Sequence, residues 1–352
     1  MRIGVHTGYW SAGPPPGIAD AVRQADELGA DSVWTAEAYG SDALTPLAWW
    51  GASTRRIRLG TAVMQMSART PTAAAMAAIT LDHLSGGRFI MGLGVSGPQV
   101  VEGWYGQPYP RPLARTREYI EIVRQVIARE RPVSYDGSFY TLPLTAEAAG
   151  GRPITGVGKA LRSTVHPLRA DLPIHLAAEG PKNIALAAEI ADGWLPLFYA
   201  PRLDADFRAN LAEGFALRSP ERSAPADFEV SATVPVVVHD DVEKAADAVR
   251  PFLALYIGGM GAKGANFHRN AVDRLGYSDA CDEIEAHYRA GRRDEAAAAV
   301  PTALVEDIAL VGPAEKIRED LRAWEDTAVT TIIVQGDATA LRAVAGALAP
   351  TR

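Results

Sequence analysis

Short apolar runs alternate along most of the chain with segments whose apolar positions recur at helical spacing. The runs at residues 2–7 (RIGVHT), 32–37 (SVWTAE), 57–64 (IRLGTAVM), 88–95 (RFIMGLGV), 173–178 (PIHLAA), 193–198 (GWLPLF), 228–238 (FEVSATVPVVV) and 330–335 (TTIIVQ) predict eight strands. Helices are predicted between them. In residues 18–28, Ile18, Val22, Ala25 and Leu28 share one face, and Gly29 supplies the stop. Residues 43–52 tolerate Pro46 in a first turn. Residues 72–84 end at Gly86 and Gly87, and further helices are predicted over 113–129, 181–191, 206–218, 241–254, 313–324 and 338–348. Strands that are apolar throughout, rather than alternating, belong to a parallel sheet covered by helices.

The rhythm is interrupted twice. Residues 130–172 are rich in Pro and Gly and contain VSYDGSFYTLP, in which Asp136-Gly137 is a hairpin turn signal. Residues 251–300 form a helical excursion, with GGMGAKG at 258–264 predicted as a loop. An open doubly wound sheet uses the same elements, but eight strand–helix units favour closure into a (β/α)8 TIM barrel. The expectation is one domain over residues 1–352, with insertions after strands 4 and 7. The active site of such a barrel lies at the C-terminal ends of its strands, so the residues that finish each apolar run become the candidates.

Composition narrows the function. The 352 residues are 48% hydrophobic and 22% charged, with a net charge of −7. An acidic chain lacks the basic face that nucleic acid requires. No apolar run is long enough to span a membrane, and MRIGVHTGYW has neither part of a signal peptide. Cys281 stands alone, and the seven histidines form no HxxxH or HExxH pair, so neither a disulfide nor a metal site is expected. The expectation is a cytoplasmic protein with a small-molecule substrate.

Several motifs invite chemical readings. Gly92, Gly94 and Gly97 spell GxGxxG after a strand, but Pro98-Gln99-Val100 reads as the start of a loop rather than a helix, against a dinucleotide turn. Gly94-Val95-Ser96-Gly97-Pro98 falls one residue short of a nucleophile elbow, and no histidine offers a recognisable base, so Ser96 reads better as a hydroxyl facing a ligand. Ala178-Glu179-Gly180-Pro181-Lys182-Asn183 joins a strand end to a helix start through glycine and proline. Free N–H groups and the helix dipole make it either an anion site or a well-formed turn. Glu37 places a carboxylate at the rim of an apolar strand, which marks it as a functional candidate. His6 ends the first strand and can face a pocket. His83 reads as a helix-end residue, His175 as core or ligand, and Trp34, Trp49 and Trp50 as an apolar wall or core.

Taken together, VWTAEAYGSDALTPLAWWGA, IRLGTAVMQMSARTP, LSGGRFIMGLGVSGPQVVEGWYG, RTREYIEIVRQV, AAEGPKNIALAAEIADGWLP and VGPAEKIREDL resemble the bacterial luciferase-like superfamily. Within it the likeness is to the F420-dependent oxidoreductases, such as methylenetetrahydromethanopterin reductase. The resemblance implies a luciferase-like barrel and the cofactor coenzyme F420, with FMN as the alternative. It also implies a homodimer, and the Ala- and Arg-rich composition resembles that of actinobacteria. It implies a non-prolyl cis peptide at Ala62-Val63, within the cofactor-lining stretch Thr61, Ala62, Val63 and Met64. Ser96 and Gly97 match a loop that lines the cofactor. Ala178, Glu179, Gly180, Pro181 and Lys182 match its phosphate turn. Lys182, Arg69 and Arg111 are candidates for the acidic tail of F420. Where several F420 enzymes of this resemblance carry Asp-His or a similar pair after the second strand, this chain has Glu37-Ala38 followed by Tyr39. Glu37, Tyr39 or His6 is then expected to handle the proton. Two further readings stay open: an FMN-dependent two-component monooxygenase, and a non-catalytic flavin- or deazaflavin-binding protein. Residues 105–111, 140–169 and 255–275 are expected to cap the pocket.

Overall fold

A computed structural model describes residues 1–156, 158–261 and 266–348. Eight strands form a closed parallel ring: β1 (Arg2–His6), β2 (Ser32–Thr35), β3 (Arg58–Thr61), β4 (Phe89–Gly94), β5 (Ile174–Ala177), β6 (Gly193–Leu195), β7 (Glu229–Val238) and β8 (Thr331–Gln335). The long β7 closes it. Glu229 and Val230 pair with Gly193 and Trp194 of β6, while Ser231 to Pro235 pair with Thr331 to Gln335 of β8. Beyond that point Val236 to Val238 pair with an additional strand, Leu310–Gly312, which the sequence pattern did not indicate.

All but the fourth of the helices follow the expected rhythm: α1 (Ile18–Glu27), α2 (Leu44–Gly51), α3 (Pro71–Ser85), α4 (Pro98–Gly103), α5 (Pro112–Ala128), α6 (Pro181–Ile190), α7 (Asp204–Phe215) and α8 (Val242–Ala254). Gly86 ends α3 at φ 67°, a conformation that glycine adopts without a Cβ penalty. The excursion after α8 continues through a π-helical turn, Leu255–Gly259, and then α9 (Phe267–Arg274), α10 (Ser278–Arg289), α11 (Arg293–Ala298) and α12 (Thr302–Ile308). The chain returns through α13 (Ala314–Glu325) and ends with α14 (Ala338–Leu348). The loop expected at 258–264 therefore starts inside a helical turn, and its residues 262–264 lie outside the described residues. Helix α4 replaces the loop expected at Pro98, because Gly97 is extended and Pro98 takes the first helical position. In the first insertion, Tyr135–Asp136 and Thr141–Leu142 form a hairpin. Its turn lies over residues 137–140, held by Glu118, which accepts the N–H groups of Ser138, Phe139 and Tyr140.

The ring is filled, not hollow. Trp34 of β2 lies across its interior with Ile90, Leu195 and Ile333. The neighbouring strands offer glycine where the indole passes: a Cβ on Gly60 would sit 2.3 Å from the Trp34 ring, and one on Gly4 2.9 Å from its Nε1. The indole N–H donates to Ser32 Oγ at 2.9 Å. Trp50 is buried outside the ring, but Trp49 is 77% exposed on α2 and belongs to no wall or core. A second apolar cluster, including Phe198, Tyr256, Cys281 and Leu304, holds the excursion against the β6–β7 side.

His175 lies within β5, stacked near Trp34. Its Nε2 is 3.9 Å from Glu229, but burial pushes the imidazole down to about 4, so the contact joins a neutral ring to a carboxylate. Burial likewise lowers His6 to about 4, against an opposing bond to the Ala62 carbonyl.

Two outcomes follow from this interior. Gly60→Ala should lower the unfolding free energy by about 1–3 kcal/mol in urea titrations, because the indole has nowhere to move. Stability should also decline with acid. Below about pH 6.5 the unfolded chain protonates both imidazoles while the folded chain resists until about pH 4, so the loss accumulates as pH falls through that window. Each histidine can contribute up to about 3 kcal/mol. Denaturation curves recorded on either side of the window check it, and equal stability at both pH values would contradict neutral burial.

Candidate active site

A cavity of about 630 Å³ opens at the C-terminal ends of the barrel strands, within the range of small-molecule sites. Its floor begins where β3 loses its register. Leu59 and Gly60 face Phe89 and Ile90, whereas Met64 and Gln65 face Leu93 and Gly94, so one more residue runs along the β3 side than along β4. This is a bulge, and the Ala62-Val63 peptide within it is cis. Glycines again make room: a Cβ on Gly92 would lie 1.7 Å from the Thr61 carbonyl oxygen, and one on Gly94 2.4 Å from Val63 Cγ2. Of the four residues expected to line a cofactor here, Ala62 and Val63 reach the cavity. Thr61 is fully buried, its hydroxyl donating to the Gly92 carbonyl at 2.7 Å and accepting its N–H at 2.9 Å, and Met64 packs in the outer core. Thr61 and Met64 therefore brace the floor from behind.

The three expected proton carriers are placed differently from one another. Glu37 lines the cavity, but its carboxylate accepts both Arg69 nitrogens, at 2.8 and 2.9 Å, and the Gln65 N–H at 2.8 Å. Arg69 also pairs with Asp42. The carboxylate is thus a brace across the bulge, and Arg69 is committed to it rather than open to an anionic tail. Tyr39 is 57% exposed, packs on Trp104 and does not line the cavity. His6 is buried beneath the wall, its Nδ1 accepting the Gly8 N–H at 3.0 Å.

Ser96 lines the cavity with φ 57°, and its carbonyl accepts the Tyr109 hydroxyl at 2.8 Å. Gly97 stands outside the wall as the N-cap of α4. Arg111 stacks on Phe139, 4.9 Å from the ring centre. Tyr109 of the 105–111 segment and several residues of 255–275 line the cavity, but no described residue of 140–169 does.

The turn after β5 brings Ala178, Glu179, Gly180, Pro181 and Lys182 to the cavity together. Gly180 is the N-cap of α6 at φ −90°, which any residue can adopt, and a Cβ there would meet nothing within 4 Å. The glycine leaves open space above a helix start that carries no side-chain cap. Beside it the amide oxygen of Asn183 and Glu179 Oε2 are buried without partners among the described residues. Amide O and N are interchangeable by a flip, so Asn183 can present an N–H to an anion. Open space, a helix dipole, an adjustable amide and the Lys182 ammonium suit a phosphate.

The opposite wall comes from the 255–275 segment expected to cap the pocket, but its chemistry was not legible in the sequence. Asn266 caps α9, accepting the N–H groups of His268 and Arg269, while its Nδ2 donates to the Tyr256 and Ile257 carbonyls. That double tie sets the His268 and Tyr256 rings 4.7 Å apart, edge to face, on the cavity. His268 Nδ1 meets Glu179 Oε1 at 2.7 Å, and the Tyr256 hydroxyl meets that of Tyr9 at 2.8 Å. Burial holds the Tyr256 phenol well above its usual range, so it stays protonated. Asn266 immediately before a helical stretch was the one available sequence signal.

Residues 2–331 match the profile of the luciferase-like monooxygenase family. The chain belongs to that family. This luciferase-like protein is 58% identical over 334 residues to a Mycobacterium tuberculosis protein named as a coenzyme F420-dependent oxidoreductase, covering 95% of this chain and 94% of the relative. It is 25% identical over 313 residues to the 5,10-methylenetetrahydromethanopterin reductase of Archaeoglobus fulgidus, covering 89% and 87%. Its luciferase-like barrel superposes on the coenzyme F420-dependent tetrahydromethanopterin reductase of Methanopyrus kandleri with a TM-score of 0.78 at 21% identity, over 99% of both chains.

The brace at the bulge is testable. Arg69→Met leaves the Glu37 carboxylate buried and uncompensated, and should cost about 3 kcal/mol in denaturant unfolding. Adding Glu37→Gln should recover part of that loss. A double variant no more stable than Arg69→Met would show that the pair does not act as a unit.

Proposed function

We propose that the protein is a coenzyme F420-dependent oxidoreductase that moves a hydride between F420 and a small organic substrate. The carrying observation is the near full-length likeness, at 58% identity, to a protein named for that cofactor. It is joined by a cavity whose parts suit a phosphate-bearing tricycle. F420 bound there supplies or takes up a hydride at its ring. The chain's own residues do the rest. Ala62 and Val63 form a shelf beside Gly94 on which a flat ring can rest, and Ala177 and Leu195 add apolar wall that excludes water. Gly180 admits a phosphate to the start of α6, where the dipole and Lys182 favour negative charge. The bulge, braced by Glu37 and Arg69, fixes the height of the shelf.

FMN offers a phosphate and a tricycle too, and remains the alternative cofactor of this reading; the identity of the relative favours F420. A homodimer acting in the cytoplasm on a small-molecule substrate completes the proposal.

Fluorescence titration with F420 and, separately, with FMN tests it. F420 should bind with micromolar or better affinity, and Gly180→Val should weaken binding by at least about tenfold, while leaving the thermal midpoint unchanged because that position has open space. Saturable FMN binding without F420 binding would overturn the proposal.

A further inference from the structure

We propose that His268, oriented by Glu179, is the acid–base group of this site, and that the Tyr9–Tyr256 hydroxyl pair helps it hold the oxygen of an uncharged carbonyl or alcohol substrate. This rests on the F420 reading and assigns its proton step. Ala38 brings no proton carrier to the end of the second strand, and none of the three local candidates is free to act: Glu37 is spent on Arg69, Tyr39 is outside the cavity, and His6 is buried.

His268 meets the geometric demands on such a group. It lines the cavity and comes from an element tied down by four Asn266 hydrogen bonds. Its Nδ1 is bound to a carboxylate with a side chain only 10% exposed, which fixes the tautomer and the orientation of the ring. Among the described residues Nε2 has no hydrogen-bond partner, and it is not sealed from solvent. The tyrosine pair adds a second donor. Two phenols hold two protons, and the bond between them uses one, so one O–H remains for a ligand oxygen. The charged and titratable groups around the imidazole are Glu179 on the β5 turn, Arg274 of α9, which bonds the Glu179 carbonyl, Tyr256 with Tyr9 behind it, Lys182 on the same cavity, and Arg269 beside it in α9.

In the reducing direction, a bound reduced deazaflavin would supply a hydride to the carbonyl carbon and release its ring N–H proton to solvent. As the new C–H bond forms, the C=O π pair moves onto oxygen, the Nε2–H bond of His268 breaks as the O–H bond forms, and the neutral imidazole takes a proton back from solvent. Oxidation of the alcohol runs the same steps backward. The chamber around these donors is mainly apolar, with Leu197, Met260 and Phe267 in its wall, so it suits a substrate with one polar oxygen on a hydrocarbon body.

The test titrates carbonyl-13C cyclohexanone and 2-octanone into protein loaded with oxidised F420, where the ketones cannot turn over. The ketone carbonyl resonance should move downfield on binding, with a pH dependence that is lost in His268→Gln. Histidine 13C spectra should show a signal that moves on ketone binding, disappears in His268→Gln, and moves less in Glu179→Gln. Tyr256→Phe should weaken ketone binding, and Tyr39→Phe should change nothing. A carbonyl shift and pH profile unaffected by His268→Gln, or no saturable binding of either ketone, would overturn the assignment. Each sample's F420 affinity is measured alongside. Loss of F420 binding in the unaltered protein sinks the functional reading itself, whereas intact F420 binding with an unmoved carbonyl sinks only the role of His268.

Discussion

The architecture of the site depends on the close approach of the end of β3 to β4. The Thr61 carbonyl and the Val63 side chain occupy space that a Cβ at Gly92 or Gly94 would claim. Without glycine at both, the extra residue on the β3 side could not turn inward, and the shelf at Ala62 and Val63 would not exist. The Thr61 hydroxyl locks one side of this contact to the Gly92 backbone. The Glu37–Arg69 pair locks the other, since Glu37 also holds the Gln65 N–H just past the bulge. Gly92 and Gly94 of the GxGxxG spelling thus serve close packing of the strands, with glycine chosen for its missing side chain.

Around that shelf the cavity has two kinds of wall. One is made by the strand ends and turns of the regular barrel, notably Ser96 and the 178–183 turn. The other is made by the excursion after β7, which leans Tyr256, Met260, Phe267 and His268 over the mouth. The two walls meet at the Glu179–His268 and Tyr9–Tyr256 contacts. A carboxylate beside a proposed phosphate position would be unfavourable if it faced the anion. Turned toward an imidazole, it leaves the helix start to the phosphate and gives the excursion a polar anchor.

Where the structure holds the candidate side chains otherwise than the sequence pattern suggested, the reason is physical. Glu37 was singled out because a carboxylate on an apolar strand needs a partner; that argument held, and the partner is Arg69, 32 residues on. His6 and Tyr39 flank the cavity at strand ends, but one points under the wall and the other into solvent, and a strand's period does not say where the irregular residues after it will turn. Trp49 and Trp50 are adjacent on a helix, so they must face different directions, and only Trp50 is buried.

The sequence by itself determined the eight strands, the helices between them, the two interruptions and the family. Those are local properties: hydrophobic period, glycine and proline punctuation, and short motifs whose residues touch one another or the next turn. Closure of the ring decided the rest. Which residues face inward past a bulge, which carboxylate is consumed by an arginine, and the meeting of His268 with Glu179 across 89 positions depend on distances between segments that no periodicity records. They became fixed only when β7 paired with β6 on one side and β8 on the other, and carried its excursion back over the mouth.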